Sequence, residues 1–249
     1  MKKIIILAGP HKTGTTSIQD YLYKNDGVYL NDEFYFYPKI DNTGQHSVIS
    51  LEIQKNNLKP FNELLTFIEN SDKNIIISGE ELCKLDLPYL ERLANFKDRE
   101  TTFSYTNRNQ DQWINSIIFH SILYDVRNIS WLDNLGEYSK LILENYALYK
   151  KNLESLNTIF IDYDILDKDN FITSFFKYFS SGYSCKENYH SNASTSSNIT
   201  YRPLIDSLIK IINEKLSVDL SSCISINEVD LRKLDTDILK HYILNSLNE

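Results

Sequence analysis

The sequence is poor in the residues that interrupt regular structure, with only 7 glycines and 5 prolines among its 249 residues. This scarcity excludes a collagen-like chain and argues against long flexible linkers. Hydrophobic residues make up 42% and charged residues 24%, which excludes a disordered chain. Because a domain averages ~150 residues, the length favours a single domain over residues 1–249.

Long hydrophobic runs are also missing from the start of the chain. The run from Ile4 to Ala8 is far shorter than the ~20 residues that a membrane helix needs. The opening lysines resemble the start of a signal peptide, but His11 and Lys12 follow too soon for its hydrophobic centre. We therefore expect no integral membrane segment, a cytoplasmic protein, and a buried strand at this position.

Cysteine is scarce, and positive charge is outweighed by negative charge. Cys83, Cys185 and Cys223 are far apart and odd in number, which argues against a disulfide framework and a zinc site. The net charge of −8 opposes nucleic-acid binding, which depends on cationic contacts to phosphate. Any anion-binding site must therefore be a local positive pocket in a negative protein.

Short β-type runs alternate with segments of helical period. Strands are predicted at Lys3–Ala8, Asn74–Ser78, Thr101–Asn107 and Thr158–Tyr163. Helices are predicted at Ser17–Lys24, Phe61–Asn70, Asp111–Tyr124, Glu137–Leu153 and Phe171–Phe179. Such alternation requires crossover connections, so it predicts an α/β fold with a central, mostly parallel sheet flanked by helices.

Two stretches lack a clear period. Residues 26–45 are polar and rich in tyrosine, and we expect a long loop there, within a variable substrate region over residues 26–60. The tyrosines that can stack on a sugar are Tyr23, Tyr29, Tyr35 and Tyr37. Residues 184–249 are predicted to form a serine-rich loop followed by two helices, the first opening at Pro203.

The strongest motif lies directly after the first predicted strand, in the sequence GPHKTGTTS of residues 9–17. A strand, a glycine-containing loop and a helix are the context in which backbone N–H groups bind an anion. Gly9 and Gly14 have the spacing of a nucleotide-binding P-loop, but Thr15 replaces the lysine that reaches a triphosphate. The lysine lies inside the loop instead, at Lys12, which argues against a bound triphosphate.

The run from His11 to Gln19 resembles the 5′-phosphosulfate loop of sulfotransferases that use 3′-phosphoadenosine 5′-phosphosulfate (PAPS), especially bacterial glycan-type members. The resemblance implies a three-layer P-loop-type fold and transfer of a sulfuryl group from PAPS to an acceptor hydroxyl or amine. Adenosine 3′,5′-bisphosphate is then the product, and no metal is required. The implied cofactor-binding residues of this loop are His11, Lys12, Thr13, Gly14, Thr15, Thr16 and Ser17.

A second segment resembles the part of the family that binds the 3′-phosphate. Arg108 follows the predicted third strand, and Ser116 comes eight positions later, in a run similar to the family's R-N-x-x-D/E-W-x-x-S. Arginine supplies a planar fork for phosphate, and serine adds a hydroxyl donor. Asn192 and Ser194 resemble an Asn-x-Ser near the end of bacterial members, implying that they close over the cofactor.

The resemblance also suggests the groups that act in the reaction. Lys12 suits the bridging oxygen, where negative charge grows. Glu80 follows the second predicted strand, where the family often has its base, with Glu81 beside it and His46 as another candidate. The implied acceptor is a glycan or glycolipid in polysaccharide biosynthesis. The absence of the Arg-Lys-Gly loop of small-molecule sulfotransferases argues against their substrates.

Two other functions fit the same loop. One is a small-molecule or nucleotide kinase with a degenerate P-loop, although Thr15 lies where its lysine is needed. The other is a non-catalytic nucleotide-binding relative. The joint presence of Lys12, Glu80, Arg108 and Ser116 argues against such a loss of activity.

Overall fold

A computed structural model describes residues 1–10, 13–39, 46–110, 113 and 135–185 of the chain. Its contacts divide the chain into two units. The first comprises Met1–Arg108 and Tyr146–Ser191, and the second comprises Asn109–Asn145 and Asn192–Glu249. The assignment of residues 1–249 to a single domain stays a prediction.

The first unit contains a six-stranded sheet with the order β2-β3-β4-β1-β5-β6. The strands are β1 (Lys2–Leu7), β2 (Gly27–Leu30), β3 (Glu33–Phe36), β4 (Asn74–Ser78), β5 (Arg99–Asn107) and β6 (Thr158–Asp162). Every pairing is parallel except that of β2 with β3. The predicted α/β fold with a mostly parallel sheet flanked by helices is therefore confirmed.

Helices alternate with these strands along the chain. The described α-helices are α1 (Thr15–Lys24), α2 (Ser47–Gln54), α3 (Lys59–Asn70), α4 (Leu87–Ala94), α5 (Leu135–Glu154) and α6 (Phe171–Phe176). Short 3₁₀ helices span Glu80–Lys84 and Tyr163–Ile165. The predicted helix at Asp111–Tyr124 lies mostly outside the described residues, as do both predicted C-terminal helices.

The central strands are buried on both faces. Ile4, Ile5 and Ile6 of β1 pair in register with Ile75, Ile76 and Ile77 of β4, and all six side chains are buried. Continuous β-branched runs are typical of parallel strands covered by helices on both faces. The continuous apolar runs that predict these strands therefore agree with their place at the centre of the sheet.

The prediction of a loop over residues 26–45 is wrong for its first part, where β2 and β3 form a hairpin. Asn31 and Asp32 connect the strands with φ angles of 50° and 64°. A two-residue hairpin turn favours such positive φ values, which asparagine and aspartate tolerate. Tyr35 is 5% exposed and Tyr37 is fully buried, so these two tyrosines belong to the core and do not form a sugar-stacking surface.

A membrane-spanning helix and a metal-binding cluster are both absent from the described residues. Within them, no helix is long and apolar enough to cross a membrane. The same part of the chain holds no group of three or more His, Cys, Asp or Glu residues arranged to bind a metal ion. Cys83 is a free, buried thiol whose pKa is raised by burial, so it stays protonated.

Candidate active site

The site begins at the carboxyl end of β1, in the middle of the sheet. From β1 the chain proceeds to β2 and β3 on one side, whereas from β5 it proceeds to β6 on the other side. Adjacent strands with connections in opposite directions leave a crevice between their carboxyl ends, where α/β proteins bind ligands. This crevice lies between the ends of β1 and β5.

Main-chain hydrogen bonds align three strand ends around this crevice. The N–H of Ala8 donates to the carbonyl oxygen of Ser104 at 3.0 Å, and the N–H of Gly79 donates to that of Leu7 at 3.1 Å. A Cβ on Gly9 would lie 3.2 Å from Oγ1 of Thr106, so glycine lets the loop approach β5 closely. The segments that follow β4, β1 and β5 therefore lie at one edge of the sheet.

The loop before α1 is held by internal contacts. The buried Thr13 hydroxyl donates to the carbonyl oxygen of Pro10 at 2.7 Å. Gly14 precedes α1 with a φ angle of 77°, in the left-handed region that favours glycine. A Cβ at this position would lie 2.3 Å from Cζ of Phe171, the first residue of α6. Gly14 is therefore required both by its backbone conformation and by the ring beside it.

The first turn of α1 carries the positive end of the helix dipole. Among the described residues, no side chain caps this helix, and its first turn contains no acidic residue. The N–H of Ser17 bonds to the carbonyl oxygen of Gly14 at 3.2 Å, while Thr15 is buried and Thr16 is half-buried. No carboxylate within this turn offsets the dipole, but that of Glu80, from the segment after β4, reaches it.

Two carboxylates after β4 have different surroundings. The Thr15 hydroxyl donates a hydrogen bond to Oε1 of the half-buried Glu80. Glu81 is buried and forms an ion pair with Lys84 at 2.6 Å. The structure therefore brings Glu80 to the start of α1, whereas Glu81 is bound within its own 3₁₀ helix.

His46, the other candidate base, is 1% exposed and contacts the main chain through both ring nitrogens. Its Nδ1 accepts from the N–H of Ser78 at 3.1 Å, and its Nε2 lies 2.8 Å from the carbonyl oxygen of Pro38. The ring also packs edge-on against Tyr37. These contacts connect the segment before α2 to the end of β4, directly before Gly79 and Glu80.

Arg108 lies at the carboxyl end of β5, as the sequence predicts. Its N–H donates to the hydroxyl of Tyr146 at 3.3 Å, and its guanidinium carbon lies 5.0 Å from the centre of the Tyr163 ring. Burial raises the pKa of Tyr146, so this phenol stays protonated. The cation is thus held over an aromatic ring at the crevice side of the sheet.

Three contacts at the site are not predicted from the sequence. Phe171 packs against Gly14, Tyr163 contacts Arg108, and Gln19 of α1 donates to the Ser78 hydroxyl at 3.3 Å. Each has a partial sequence signal: Gln19 ends the run that resembles the sulfotransferase loop, Tyr163 ends a predicted strand, and Phe171 begins a predicted helix. Five predicted site residues lie outside the described part of the chain: His11, Lys12, Ser116, Asn192 and Ser194.

Comparisons with known proteins bear on the fold. No protein-family model matches the sequence, and no curated protein matches it significantly. The crystal structure of a sulfotransferase from Alicyclobacillus acidocaldarius is similar to this chain, with a TM-score of 0.50 and 11% sequence identity. The match covers 90% of this chain and 99% of that one. The likeness shows that the two chains share an α/β fold.

Proposed function

We propose that this chain is a sulfotransferase that moves a sulfuryl group from PAPS to a hydroxyl or amine of a glycan or glycolipid. The observation that carries the proposal is the convergence of three segments at one edge of the sheet. The uncapped start of α1, Glu80 after β4 and Arg108 after β5 lie around the crevice between β1 and β5. The likeness of the fold to that of a sulfotransferase supports it.

The residues proposed for this site suit a nucleotide that carries anionic groups at its 5′ and 3′ positions. The loop of residues 9–17 offers backbone N–H groups and hydroxyls to the 5′-phosphosulfate, and Lys12 adds a cation. Arg108 offers a fork to the 3′-phosphate, with Ser116 as the second donor. Asn192 and Ser194 complete the proposed cofactor-binding set, and His11 lies beside Lys12 in the sequence.

In the proposed mechanism, PAPS supplies the sulfuryl group and adenosine 3′,5′-bisphosphate is the leaving group. Glu80 takes the proton from the acceptor hydroxyl while that oxygen forms its bond to sulfur. Lys12 stabilises the negative charge that grows on the bridging oxygen as the old bond to sulfur breaks. His46 stays the alternative base, although both of its ring nitrogens contact the main chain in this structure.

We expect adenosine 3′,5′-bisphosphate to stabilise the protein in the absence of Mg²⁺. At a concentration 100 times its Kd, a ligand adds about 2.7 kcal/mol to the free energy of unfolding. For a chain of this length that is a rise in Tm of about 5–10 °C. A thermal-shift measurement with the bisphosphate and with Mg-ATP checks this.

The thermal-shift measurement and an assay of sulfate transfer together separate the other functions. A larger rise in Tm with Mg-ATP than with adenosine 3′,5′-bisphosphate would favour the kinase. Binding of PAPS without transfer to any member of an acceptor panel would favour the non-catalytic relative. Transfer of labelled sulfate from PAPS to a saccharide acceptor would support the proposal and define the acceptor class.

Arg108→Ala is expected to raise the Kd for adenosine 3′,5′-bisphosphate by about 10- to 100-fold, since a hydrogen-bonded charged partner is lost. The Kd for AMP, which lacks the 3′-phosphate, should change by less than about twofold. Isothermal titration calorimetry with both ligands checks this. An equal loss of affinity for the two ligands would contradict the assigned role.

Arg99→Ala is the matched control for this substitution. Arg99 lies at the opposite end of β5, where its guanidinium donates to the carbonyl oxygens of Ser71 and Lys73. Its removal affects the structure at the amino ends of the strands and leaves the crevice unchanged. We therefore expect the preference for the bisphosphate over AMP to persist in Arg99→Ala.

A further inference from the structure

Lys168, which follows the 3₁₀ helix Tyr163–Ile165, is brought back onto Tyr163. Its ammonium nitrogen lies 3.3 Å from the centre of the Tyr163 ring and donates a hydrogen bond to the carbonyl oxygen of that residue. The guanidinium carbon of Arg108 lies 5.0 Å from the same ring centre. Two cations from distant parts of the sequence therefore converge on one aromatic ring.

Desolvation and the surrounding charges act in different directions on the Lys168 ammonium. Although Lys168 is exposed as a residue, the desolvation of its ammonium lowers its pKa, and the positive charge of Arg108 lowers it further. The carboxylates of Asp164 and Asp162 act in the opposite direction and raise it. A phosphate dianion in contact with the ammonium would favour its charged form and so offset this desolvation.

The ring of Phe171 connects this cation pair to the loop before α1. It lies 5.8 Å from the Lys168 ammonium, and it is the ring that a Cβ on Gly14 would strike. A single side chain therefore separates Lys168 from the loop proposed to hold the 5′-phosphosulfate. This is an arrangement suited to one ligand with anionic groups at two positions.

We infer that Lys168 is a second cation for the 3′-phosphate of the nucleotide, acting together with Arg108 on the same group. The inference rests on the proposed function and adds a specificity-determining residue to it. An ammonium group with three donors keeps donors for a phosphate while it bonds to the Tyr163 carbonyl. Tyr163 acts as a positioning residue, because its ring and its carbonyl oxygen hold the lysine in place.

Calorimetric titration of wild type and Lys168→Ala with adenosine 3′,5′-bisphosphate and with AMP tests the inference. We expect the Kd for the bisphosphate to rise about tenfold in Lys168→Ala, while that for AMP changes by less than about twofold. Lys168→Arg, which keeps the charge, should retain most of the affinity. Since Lys168 is exposed, the Tm of the ligand-free variant should stay within about 2 °C of wild type.

Lys150→Ala is the matched control, because it removes a different lysine that lies 5.7 Å from the centre of the Phe160 ring. It should leave both Kd values unchanged. If wild type prefers the bisphosphate and Lys168→Ala keeps that preference, the inference is wrong and the proposed function stands. An equal loss for both ligands would also overturn it. Failure of wild type to bind the bisphosphate would overturn both proposals.

Discussion

Replacing Glu80 with glutamine is expected to lower the turnover number by about 10²-fold or more, the usual effect of losing a general base. Glutamine retains an oxygen that can accept the hydrogen bond donated by Thr15. The amide cannot take up the acceptor's proton, however, so the chemical step fails while the geometry is preserved. The affinity for PAPS should stay within about twofold, because the proposed role of the carboxylate is on the acceptor.

Steady-state kinetics with labelled PAPS, together with direct titration of PAPS, checks this expectation. Glu81→Gln is the matched control: it removes the neighbouring carboxylate, which is buried and paired with Lys84 at 2.6 Å. That variant should lose stability and keep its turnover number. Full turnover in Glu80→Gln, combined with loss of turnover in His46→Ala, would transfer the role of base to His46.

Gly14→Ala is expected to reduce the free energy of unfolding by about 2–5 kcal/mol. The left-handed backbone at this position, with a φ of 77°, costs a residue with a Cβ about 1–2 kcal/mol. The added carbon also meets the Phe171 ring, whose nearest atom would lie at 2.3 Å, and such overpacking costs about 1–3 kcal/mol. Urea unfolding followed by circular dichroism measures the loss.

A double-mutant cycle separates these two costs. Phe171→Leu removes the ring, so Gly14→Ala should be less destabilising in that background and retain mainly the cost of the backbone conformation. Gly182→Ala is the control, since a Cβ there meets no atom within 4 Å and no positive φ is involved. Equal stability of Gly14→Ala and Gly182→Ala would show that the loop before α1 has a different conformation.

Strands with continuous apolar runs are well predicted by the sequence. The predicted run Asn74–Ser78 matches β4, and the predicted run Lys3–Ala8 is one residue out of step with β1 at each end. The hairpin of β2 and β3 is not predicted, because its strands are short and mix buried with exposed residues. Val28 is buried while Tyr29 is 67% exposed, and the turn at Asn31 and Asp32 contains no glycine.

The main parts of the candidate site were predictable for a different reason. In a parallel sheet, residues that follow adjacent strands meet at one edge. Strand prediction alone therefore suffices to place Glu80 and Arg108 beside the loop that contains Gly14. The role of His46 was not predictable, because a histidine in a polar segment shows no sign that both of its ring nitrogens will contact buried main chain.

The sequence by itself determined the α/β class, the glycine-containing loop between β1 and α1, and the polar residues that follow β4 and β5. These properties depend on local patterns of hydrophobicity and on short spacings, which the chain carries wherever it folds. Only the tertiary structure decided that Phe171 packs against Gly14 and that Lys168 joins Arg108 at the Tyr163 ring. The contacts of Gly14 with Phe171 and of Arg108 with Tyr163 join residues far apart in the chain, so they depend on how the elements pack and not on local sequence.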